Sequence, residues 1–215
     1  MNTTDTVTIT PSILYFGTPV VLLSTCNEDG SANLAPLSSA WALGQTVVLG
    51  IGPDGRTGHN LIAGRHDLVL SLPGPQLWPQ VELLGGLSGR GRVPGDPRGA
   101  VVHEPDKFTA SGLTPVPSDL VAPPRVGECP LHLEARATAV RHDADGEFLI
   151  VECGVLRVHA VEGITVPGTQ HVDPAAWTPL VYNFRHYFGL GPELGHSARS
   201  RTPRSRPGTG APYAP

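Results

Sequence analysis

The alternation of apolar and polar residues along the chain predicts a protein built mainly from short β-strands. Apolar runs of strand length lie at residues 20–25, 46–51 and 66–72, each bounded by glycine, proline or polar turn residues. Residues 128–141 alternate, and residues 148–160 are strongly apolar. The Asp-Ala-Asp-Gly turn between these two segments predicts a long hairpin.

The alternation in the first strand of that hairpin also predicts which side chains face solvent. The apolar face consists of Cys129, Leu131, Leu133, Ala135, Ala137 and Ala139. The opposite face carries His132, Glu134 and Arg136. The pattern indicates a half-buried strand with these three polar side chains pointing outwards.

Three segments carry helical signals. Thr10 followed by proline predicts a short helical turn over residues 12–16. Residues 56–62 begin a second helix, for which Thr57 is the predicted N-cap. A third helix is predicted over residues 76–84, because three apolar residues recur there at helical spacing: Leu77, Val81 and Leu84.

The clearest site signal follows the first strand. Residues 27–30, Asn-Glu-Asp-Gly, supply the positive φ that a tight hairpin turn requires. The chain returns through residues 31–41, which are too rich in small residues and hydroxyls for an ordinary core strand. Pro36 removes a ladder donor, and small side chains allow close approach to the backbone. These features predict a strand that lies against a ligand.

A glycine-rich segment at residues 50–55 formally matches G-x-G-x-x-G, the dinucleotide-binding fingerprint. A Rossmann unit requires a strand that ends in an acidic residue roughly 20 positions further on. Asp67 instead begins its strand, and the chain lacks a repeating alternation of strands and helices. A glycine-rich turn is therefore the better interpretation of the motif.

Two positively charged positions are candidates for an anion site. Arg56 stands at a predicted helix start beside Thr57 and Asn60, where unpaired backbone N–H groups favour negative charge. An ordinary capped helix with a solvated arginine is the alternative. Lys107 is the single lysine of the chain, and its compact charge suits a phosphate. Its alternative role is a surface ion pair with Asp106 or Glu104.

Several motifs taken in order resemble one known family. They are the hairpin with its return strand, Arg56-Thr57-x-x-Asn60, Asp106-Lys107-Phe108, Gly112-Leu113-Thr114-Pro115 and Ala122-Pro123-Pro124-Arg125-Val126. Together they resemble the flavin reductase-like, FMN-binding split β-barrel family, in its flavoredoxin-like branch, over about residues 10–195. The resemblance implies a mainly β, Greek-key split barrel over residues 1–196. Residues 197–215, rich in Arg, Pro and Gly, are expected to be disordered.

The resemblance also implies which residues form the site. The cofactor-binding candidates are Asn33, Ala35, Pro36, Ser38, Ser39, Ala40, Arg56, Thr57, Asn60 and Lys107, of which the last four belong to the phosphate. The catalytic candidates lie in the aromatic C-terminal segment: His171, His186 and Tyr187. A histidine beside aromatic residues is more often simply packed and hydrogen-bonded.

The function that the resemblance implies is an FMN-dependent oxidoreductase, which passes electrons to free flavin, a partner oxygenase or a small organic substrate. NAD(P)H is the expected electron donor in many relatives, but their Gly-Asp-His motif is replaced here by Asp145-Gly146-Glu147-Phe148. The donor is therefore left open. Two alternatives stand beside this function: a redox-neutral or unusual tailoring reaction in biosynthesis, and a non-enzymatic flavin carrier.

Charge and cysteine content argue against several other classes of protein. A net charge of −4, with four arginines confined to the last nineteen residues, argues against a nucleic-acid-binding surface. Three cysteines without C-x-x-C spacing indicate free thiols, with neither a disulfide framework nor a metal site. No signal pattern or apolar run of about 18 residues occurs, so we expect no membrane association. The expected protein is a cytoplasmic homodimer.

Overall fold

The computed structural model describes residues 6–91, 101–198 and 200, and most of its secondary structure is β. The strands are β1 (Phe16–Pro19), β2 (Val21–Cys26), β3 (Ala32–Leu37), β4 (Ala40–Leu43), β5 (Thr46–Ile51), β6 (Asp67–Leu72), β7 (Leu87–Ser88), β8 (Val102–His103), β9 (Pro115–Val116), β10 (Arg125–Val126), β11 (Leu131–His142), β12 (Leu149–Ala160), β13 (Val181–Asn183) and β14 (His186–Phe188). The α-helices are α1 (Arg56–Ile62), α2 (Trp78–Gly85) and α3 (Lys107–Ser111), and two 3₁₀ turns cover Pro75–Leu77 and Glu162–Ile164.

Seven strands form one antiparallel sheet with the spatial order β3-β2-β6-β11-β12-β5-β4. Strands adjacent in the sheet are distant in sequence at β6–β11 and β12–β5, which is a Greek-key type of connection. The predicted mainly β, split-barrel fold is confirmed. The antiparallel sheet also confirms that the glycine-rich segment is a turn and not a Rossmann fingerprint.

The two edge strands of this sheet are consecutive in the chain. The return segment, residues 31–41, was predicted as one strand, but it divides into β3 and β4, which lie at opposite edges. Only Ser38 and Ser39 separate them, so the two edges cannot be more than about 11 Å apart at this point. The sheet must therefore curl until its edges meet. Pro36 lacks the N–H that a longer continuous strand would need.

Buried apolar side chains form two clusters, one on each face of the curled sheet. The interior cluster contains Val21, Leu23, Ala40, Val47, Leu49, Ile51, Leu61, Leu68, Leu70, Ala135, Ala137, Leu149, Val151 and Cys153. The second cluster packs β2 and β3 against α2, α3 and the C-terminal segment. It contains the three residues predicted from helical spacing: Val81 and Leu84 lie on α2, and Leu77 ends the 3₁₀ turn directly before it, so the predicted helix over residues 76–84 begins as a 3₁₀ turn.

Two local predictions were wrong, and tertiary pairing explains both. Residues 12–16 form no helix; Phe16 begins β1, which pairs with β13 through Phe16 opposite Asn183. Thr57 is not the N-cap of α1, because Gly55 occupies that position without a side-chain cap. The Thr57 hydroxyl instead accepts a hydrogen bond from Asn33 Nδ2 at 3.0 Å.

The predicted polar face of β11 is also partly wrong. Glu134 is fully buried and His132 is 6% exposed, because the segment between β9 and β10 covers this face of the strand. The Glu134 carboxylate accepts the backbone N–H groups of Asp119 at 2.8 Å and Leu120 at 2.7 Å. It also contacts His159 Nε2 at 2.7 Å. Burial alone raises the pKa of Glu134, but these donors outweigh burial and hold the pKa below its usual range.

The three cysteines are unpaired, as predicted. Burial raises the pKa of Cys153 to about 12, and it also raises the pKa of Cys129. No helix within the described ranges is long and apolar enough to cross a membrane. The predicted disordered tail lies outside the described residues except at positions 197, 198 and 200.

The Glu134→Gln variant tests whether this carboxylate fixes the covering segment to β11. One oxygen becomes an NH₂ donor that faces a backbone donor, so we expect a loss of about 1.5–3 kcal/mol in the free energy of unfolding at pH 7. The carboxylate contribution is present above the unfolded-state pKa and is lost as pH falls through the lowered native pKa. The difference between variant and wild type should therefore shrink in acid. Urea unfolding at pH 7 and pH 4 measures both effects.

The control for this experiment is Glu28→Gln, which makes the same chemical change at an exposed position in the first hairpin turn. We expect it to change stability by less than about 0.5 kcal/mol at either pH. Equal effects of the two substitutions would show that Glu134 does not hold the covering segment.

Candidate functional site

A cavity of about 320 Å³ lies between β3, the start of α1 and the strand β7. Its apolar wall includes Leu37, Ile51 and Leu84. Its polar groups gather at one end: Arg56, Thr57, Ser88 and Lys107. The cavity therefore has an apolar body with a positively charged end, which suits a ligand with a ring system and an anionic group.

The glycine-rich turn brings the start of α1 to this cavity. A Cβ on Gly58 would lie 2.4 Å from the carbonyl oxygen of Gly52, so only glycine lets the helix pack on the turn. Arg56 Nε donates to the carbonyl oxygen of Gly89 at 3.0 Å, which joins α1 to the segment after β7. A Cβ on Gly89 would come within 2.9 Å of Asn33 Oδ1. Backbone packing thus holds three separate segments around the charged end.

Lys107 is buried at this end, with 4% of its surface exposed. The predicted alternative of a surface ion pair is wrong. Asp106 instead caps α3 by accepting from the backbone N–H of Thr109 at 3.1 Å, and Glu104 accepts from the backbone N–H of Asp106 at 2.8 Å. Among the residues that the structure describes, no carboxylate forms an ion pair with Lys107.

Burial lowers the pKa of Lys107 to about 8, and the positive charge of Arg56 contributes further. The positive charge of Arg56 disfavours the Lys107 ammonium, which has no carboxylate partner among the described residues and has also lost its hydration. A bound anion would relieve both costs. The described groups at this end of the cavity therefore favour a negatively charged ligand.

A buried polar layer supports this end of the cavity from behind. Asn33 Nδ2 donates to Thr57 Oγ1 at 3.0 Å and to Thr25 Oγ1 at 3.3 Å. Asn33 Oδ1 is buried and accepts no hydrogen bond from any described residue. Asn33 itself is not among the residues that line the cavity, so it supports the Thr57 hydroxyl from behind the cavity wall.

Asn60 belongs to the same layer, but its polar atoms are already used. Its Nδ2 donates to Thr25 Oγ1 at 3.0 Å and to Asn27 Oδ1 at 3.1 Å. Its Oδ1 accepts from Arg65 Nη2 at 3.1 Å. Asn60 thus ties α1 to the first hairpin, and any contribution to ligand binding passes through the position of α1.

The other predicted cofactor-binding residues divide between two neighbouring cavities and the barrel wall. Ala35 and Pro36 line the first cavity, whereas Ser38 lines a second one. Ser39 donates to the hydroxyl of Tyr15 at 3.4 Å, and Ala40 is buried in the barrel interior. Residues 35–40 therefore run along the seam between the sheet edges, past both cavities.

The second cavity, of about 460 Å³, shares Pro36, Leu37, Gly85 and Val101 with the first. Three tyrosine rings line it. The ring centroids of Tyr15 and Tyr182 are 5.5 Å apart, and those of Tyr182 and Tyr187 are 5.1 Å apart. The Tyr187 hydroxyl donates to Glu82 Oε2 at 2.9 Å.

The three predicted catalytic residues do not lie together. Tyr187 lines the second cavity, where burial and the Glu82 carboxylate raise its pKa, so its hydroxyl remains protonated at neutral pH. His186 is exposed and pairs with Asn183 in the β13–β14 hairpin. His171 donates its backbone N–H to Thr169 Oγ1 at 3.2 Å. Neither histidine is among the residues that line the two cavities.

Sequence reasoning missed Ser88, Gly89 and Glu82 as site residues. The unusual length of the loop over residues 85–104 was the available signal for the first two, because such loops are commonly functional. No local pattern marked Glu82, which meets Tyr187 across 105 positions of sequence. Residues 92–100 of the loop lie outside the described part of the chain.

A separate cluster has the composition of a metal site. Asp119, Glu134 and His159 bring three ligand atoms within 4.8 Å of one another. However, Arg157 pairs with Asp119 at 2.5 Å, and both Glu134 oxygens accept backbone N–H groups. The carboxylate oxygens of this cluster already have partners within the protein, which favours a structural role for the cluster.

Comparison with known proteins gives the family. Residues 13–191 match the family described as flavin reductase like domain. A relative described as the uncharacterized protein YdfE of Bacillus subtilis (strain 168) is 44% identical over 197 residues, covering 90% of this chain and 94% of that protein. The likeness therefore extends over nearly the whole of both chains.

Solved structures give the fold. The flavoredoxin of Desulfovibrio vulgaris (Miyazaki F) superimposes with a TM-score of 0.72 at 19% identity, covering 91% of this chain and 98% of that one. Component B of nitrilotriacetate monooxygenase from Bacillus cereus superimposes with a TM-score of 0.66 at 17% identity, covering 86% and 89%. Sequence and structure agree that this chain belongs to the flavin reductase-like family and has its split-barrel fold.

Proposed function

We propose that this protein binds FMN in the first cavity and acts as an FMN-dependent oxidoreductase. The observation that carries the proposal is the pairing of buried Lys107 with Arg56 at one end of an apolar cavity, without a described carboxylate beside Lys107. A phosphate monoester carries up to two negative charges and would complete this end. FAD would place a diphosphate at the same position, so a comparison of FMN and FAD affinities by fluorescence titration tests the choice of FMN.

Each polar group at this end has a hydrogen bond to offer. Arg56 keeps its terminal N–H groups, since only its Nε is committed to a described partner, Gly89. Thr57 Oγ1 accepts from Asn33 and can still donate its own hydrogen to a phosphate oxygen. Asn33 lies behind the cavity wall and orients that hydroxyl. Ala35 and Pro36 leave the backbone of β3 open to a flat ring.

Bound flavin supplies reversible acceptance of a hydride or of electrons, and this protein supplies binding, orientation and electrostatic tuning. Among relatives, the likeness to a monooxygenase component supports transfer to a partner oxygenase. Free flavin and a small organic molecule are the other acceptors consistent with a cavity open beside the ring site. Assays of NADH and NADPH oxidation with added flavin test the electron donor.

The Arg56→Ala variant tests the phosphate end. A charge-assisted hydrogen bond is worth roughly 1.5–3 kcal/mol, so FMN affinity should fall by about one to two decades. Riboflavin lacks the phosphate, and its affinity should stay nearly constant. Thr57→Ala should weaken FMN in the same direction but less, because it removes only a neutral hydroxyl. Fluorescence titration of both flavins measures these ratios.

The matched control is Arg141→Ala, which removes an exposed guanidinium at the far end of β11. It should leave both affinities unchanged. Equal losses of FMN and riboflavin in Arg56→Ala would show that Arg56 is structural. Unchanged affinities for both flavins would show that the cofactor binds elsewhere.

Lys107 makes the same site pH-dependent. The FMN phosphate is mostly a dianion above about pH 6.5, since its second pKa is about 6. The protonated lysine favours this dianion, and its pKa of about 8 in the flavin-free protein means that protons are lost above that pH. FMN affinity should therefore fall by about tenfold between pH 7 and pH 9, while riboflavin affinity stays level. Lys107→Met should bind FMN more weakly and without this decline.

FMN and riboflavin titrations of wild type and Lys107→Met at pH 7, 8 and 9 test whether Lys107 binds the phosphate. A level FMN profile in the wild type, or full FMN affinity in the variant, would remove Lys107 from the phosphate site. Riboflavin serves as the internal control for any pH effect on the fold.

We also propose that the protein is a homodimer. Edge strand β4 presents Trp41 at 57% and Leu43 at 77% exposure, and Phe16 is 76% exposed on β1. Apolar side chains exposed on an unpaired edge strand favour association with another chain, and a second copy of this protein would remove them from solvent. Sedimentation should give twice the chain mass of 22.6 kDa at micromolar concentration. Trp41→Glu with Leu43→Glu should give the monomer, and a monomeric wild type would contradict the proposal.

A further inference from the structure

One of the described residues that line the second cavity is acidic, and none of them is basic. The acidic residue is Glu82, and the main polar groups beside it are the hydroxyls of Tyr15, Tyr182 and Tyr187. The first cavity, by contrast, ends in Arg56 and Lys107. Two adjoining cavities therefore have opposite electrostatic character.

The geometry around Glu82 leaves part of its carboxylate available. Tyr187 donates its hydroxyl to Oε2, which orients the carboxylate, and Oε1 accepts no hydrogen bond from any residue in the described ranges. Glu82 is exposed at the cavity wall, so a ligand can reach it. The carboxylate is thus fixed on one side and open on the other.

Tyr182 and Tyr187 stay neutral, and both present aromatic surface to the cavity. Burial raises the pKa of Tyr182, and burial with the Glu82 carboxylate raises the pKa of Tyr187. Arg185 opposes the shift at Tyr182, but it is exposed and does not line the cavity. Among the described lining residues, negative charge is therefore confined to Glu82, which lies beside three aromatic rings.

Aromatic faces beside a carboxylate form a recognised arrangement for binding cations. An anion would meet the repulsion of Glu82, and a neutral ligand would gain neither the ion pair nor the cation–π contact. The shared wall at Pro36 and Leu37 places this cavity directly beside the proposed flavin site. A ligand held there would therefore lie next to the proposed flavin site.

We propose that the second cavity binds an organic cation, a protonated amine or quaternary ammonium carried on an apolar body, and that Glu82 determines this specificity. As the substrate site of a flavin enzyme, this assignment rests on the proposed function; as a cation-binding site, it stands independently. The competing interpretation is that the Tyr187–Glu82 hydrogen bond only ties β14 to α2.

The test is calorimetry at pH 7 on the full-length, FMN-loaded protein. It measures the binding affinities of three probes that share a phenyl group. The probes are 2-phenylethylamine as the cation, 2-phenylethanol as the neutral analogue and phenylacetate as the anion. We expect the amine to bind about tenfold more tightly than the alcohol, and the anion to bind more weakly than either. In Glu82→Gln, the amine should lose this advantage to within about twofold, with the alcohol unchanged.

Two variants separate recognition from structural support. Tyr187→Phe removes the hydroxyl bond but keeps the ring and the Glu82 charge, so it should keep the preference for the amine over the alcohol. Glu147→Gln makes the same charge change in the exposed turn before β12, and it should behave as wild type. If the pair is only structural, Glu82→Gln and Tyr187→Phe will lower thermal stability alike and shift amine and alcohol affinities equally.

Equal affinity for the three probes in the wild type, or an unchanged amine preference in Glu82→Gln, would overturn the inference. The same titrations on FMN-free protein separate it from the proposed function. Selective amine binding without any FMN binding would contradict the proposed FMN site and support the cation site. FMN binding without amine selectivity would contradict the cation site and leave the proposed FMN site in place.

Discussion

The short link between the two edge strands is the constraint on which the remaining structure depends. β3 and β4 lie at opposite edges of a seven-stranded sheet, yet only Ser38 and Ser39 separate them. The sheet cannot stay open with its edges tied, so it curls around the interior cluster of apolar side chains. The seam formed where the edges meet carries the small residues of β3, and both cavities lie along it.

The charged end of the first cavity lowers the stability of the ligand-free protein. Removing Lys107 from water costs free energy, and the nearby Arg56 adds repulsion instead of relief. Such an arrangement persists because surrounding packing holds it: Gly58 allows α1 to lie on the turn, and Gly89 allows the next segment to reach Arg56. Under the proposed function, binding of the FMN phosphate would offset this cost. Preorganised charge of this kind is typical of binding sites rather than of cores.

Other buried polar groups stabilise the fold, because their hydrogen-bond partners lie within the protein. Glu134 accepts two backbone N–H groups and contacts His159, which fixes the segment between β9 and β10 against β11. Asn60 uses both ends of its amide to fix α1 to the first hairpin. Lys107 differs from these groups, because it is buried at the cavity without a carboxylate partner among the described residues.

The sequence by itself determined the features that depend on neighbouring residues. Both hairpins, the α2 face and the glycine-rich turn follow from period-two alternation, helical spacing and turn chemistry, and each is confirmed. Motif order also indicated the family and brought Arg56 and Lys107 forward as candidates. Only tertiary structure decided that residues 12–16 lead into a strand, that Glu134 is buried and that Glu82 meets Tyr187. Those outcomes depend on pairing and covering by segments distant in sequence, which no local pattern encodes.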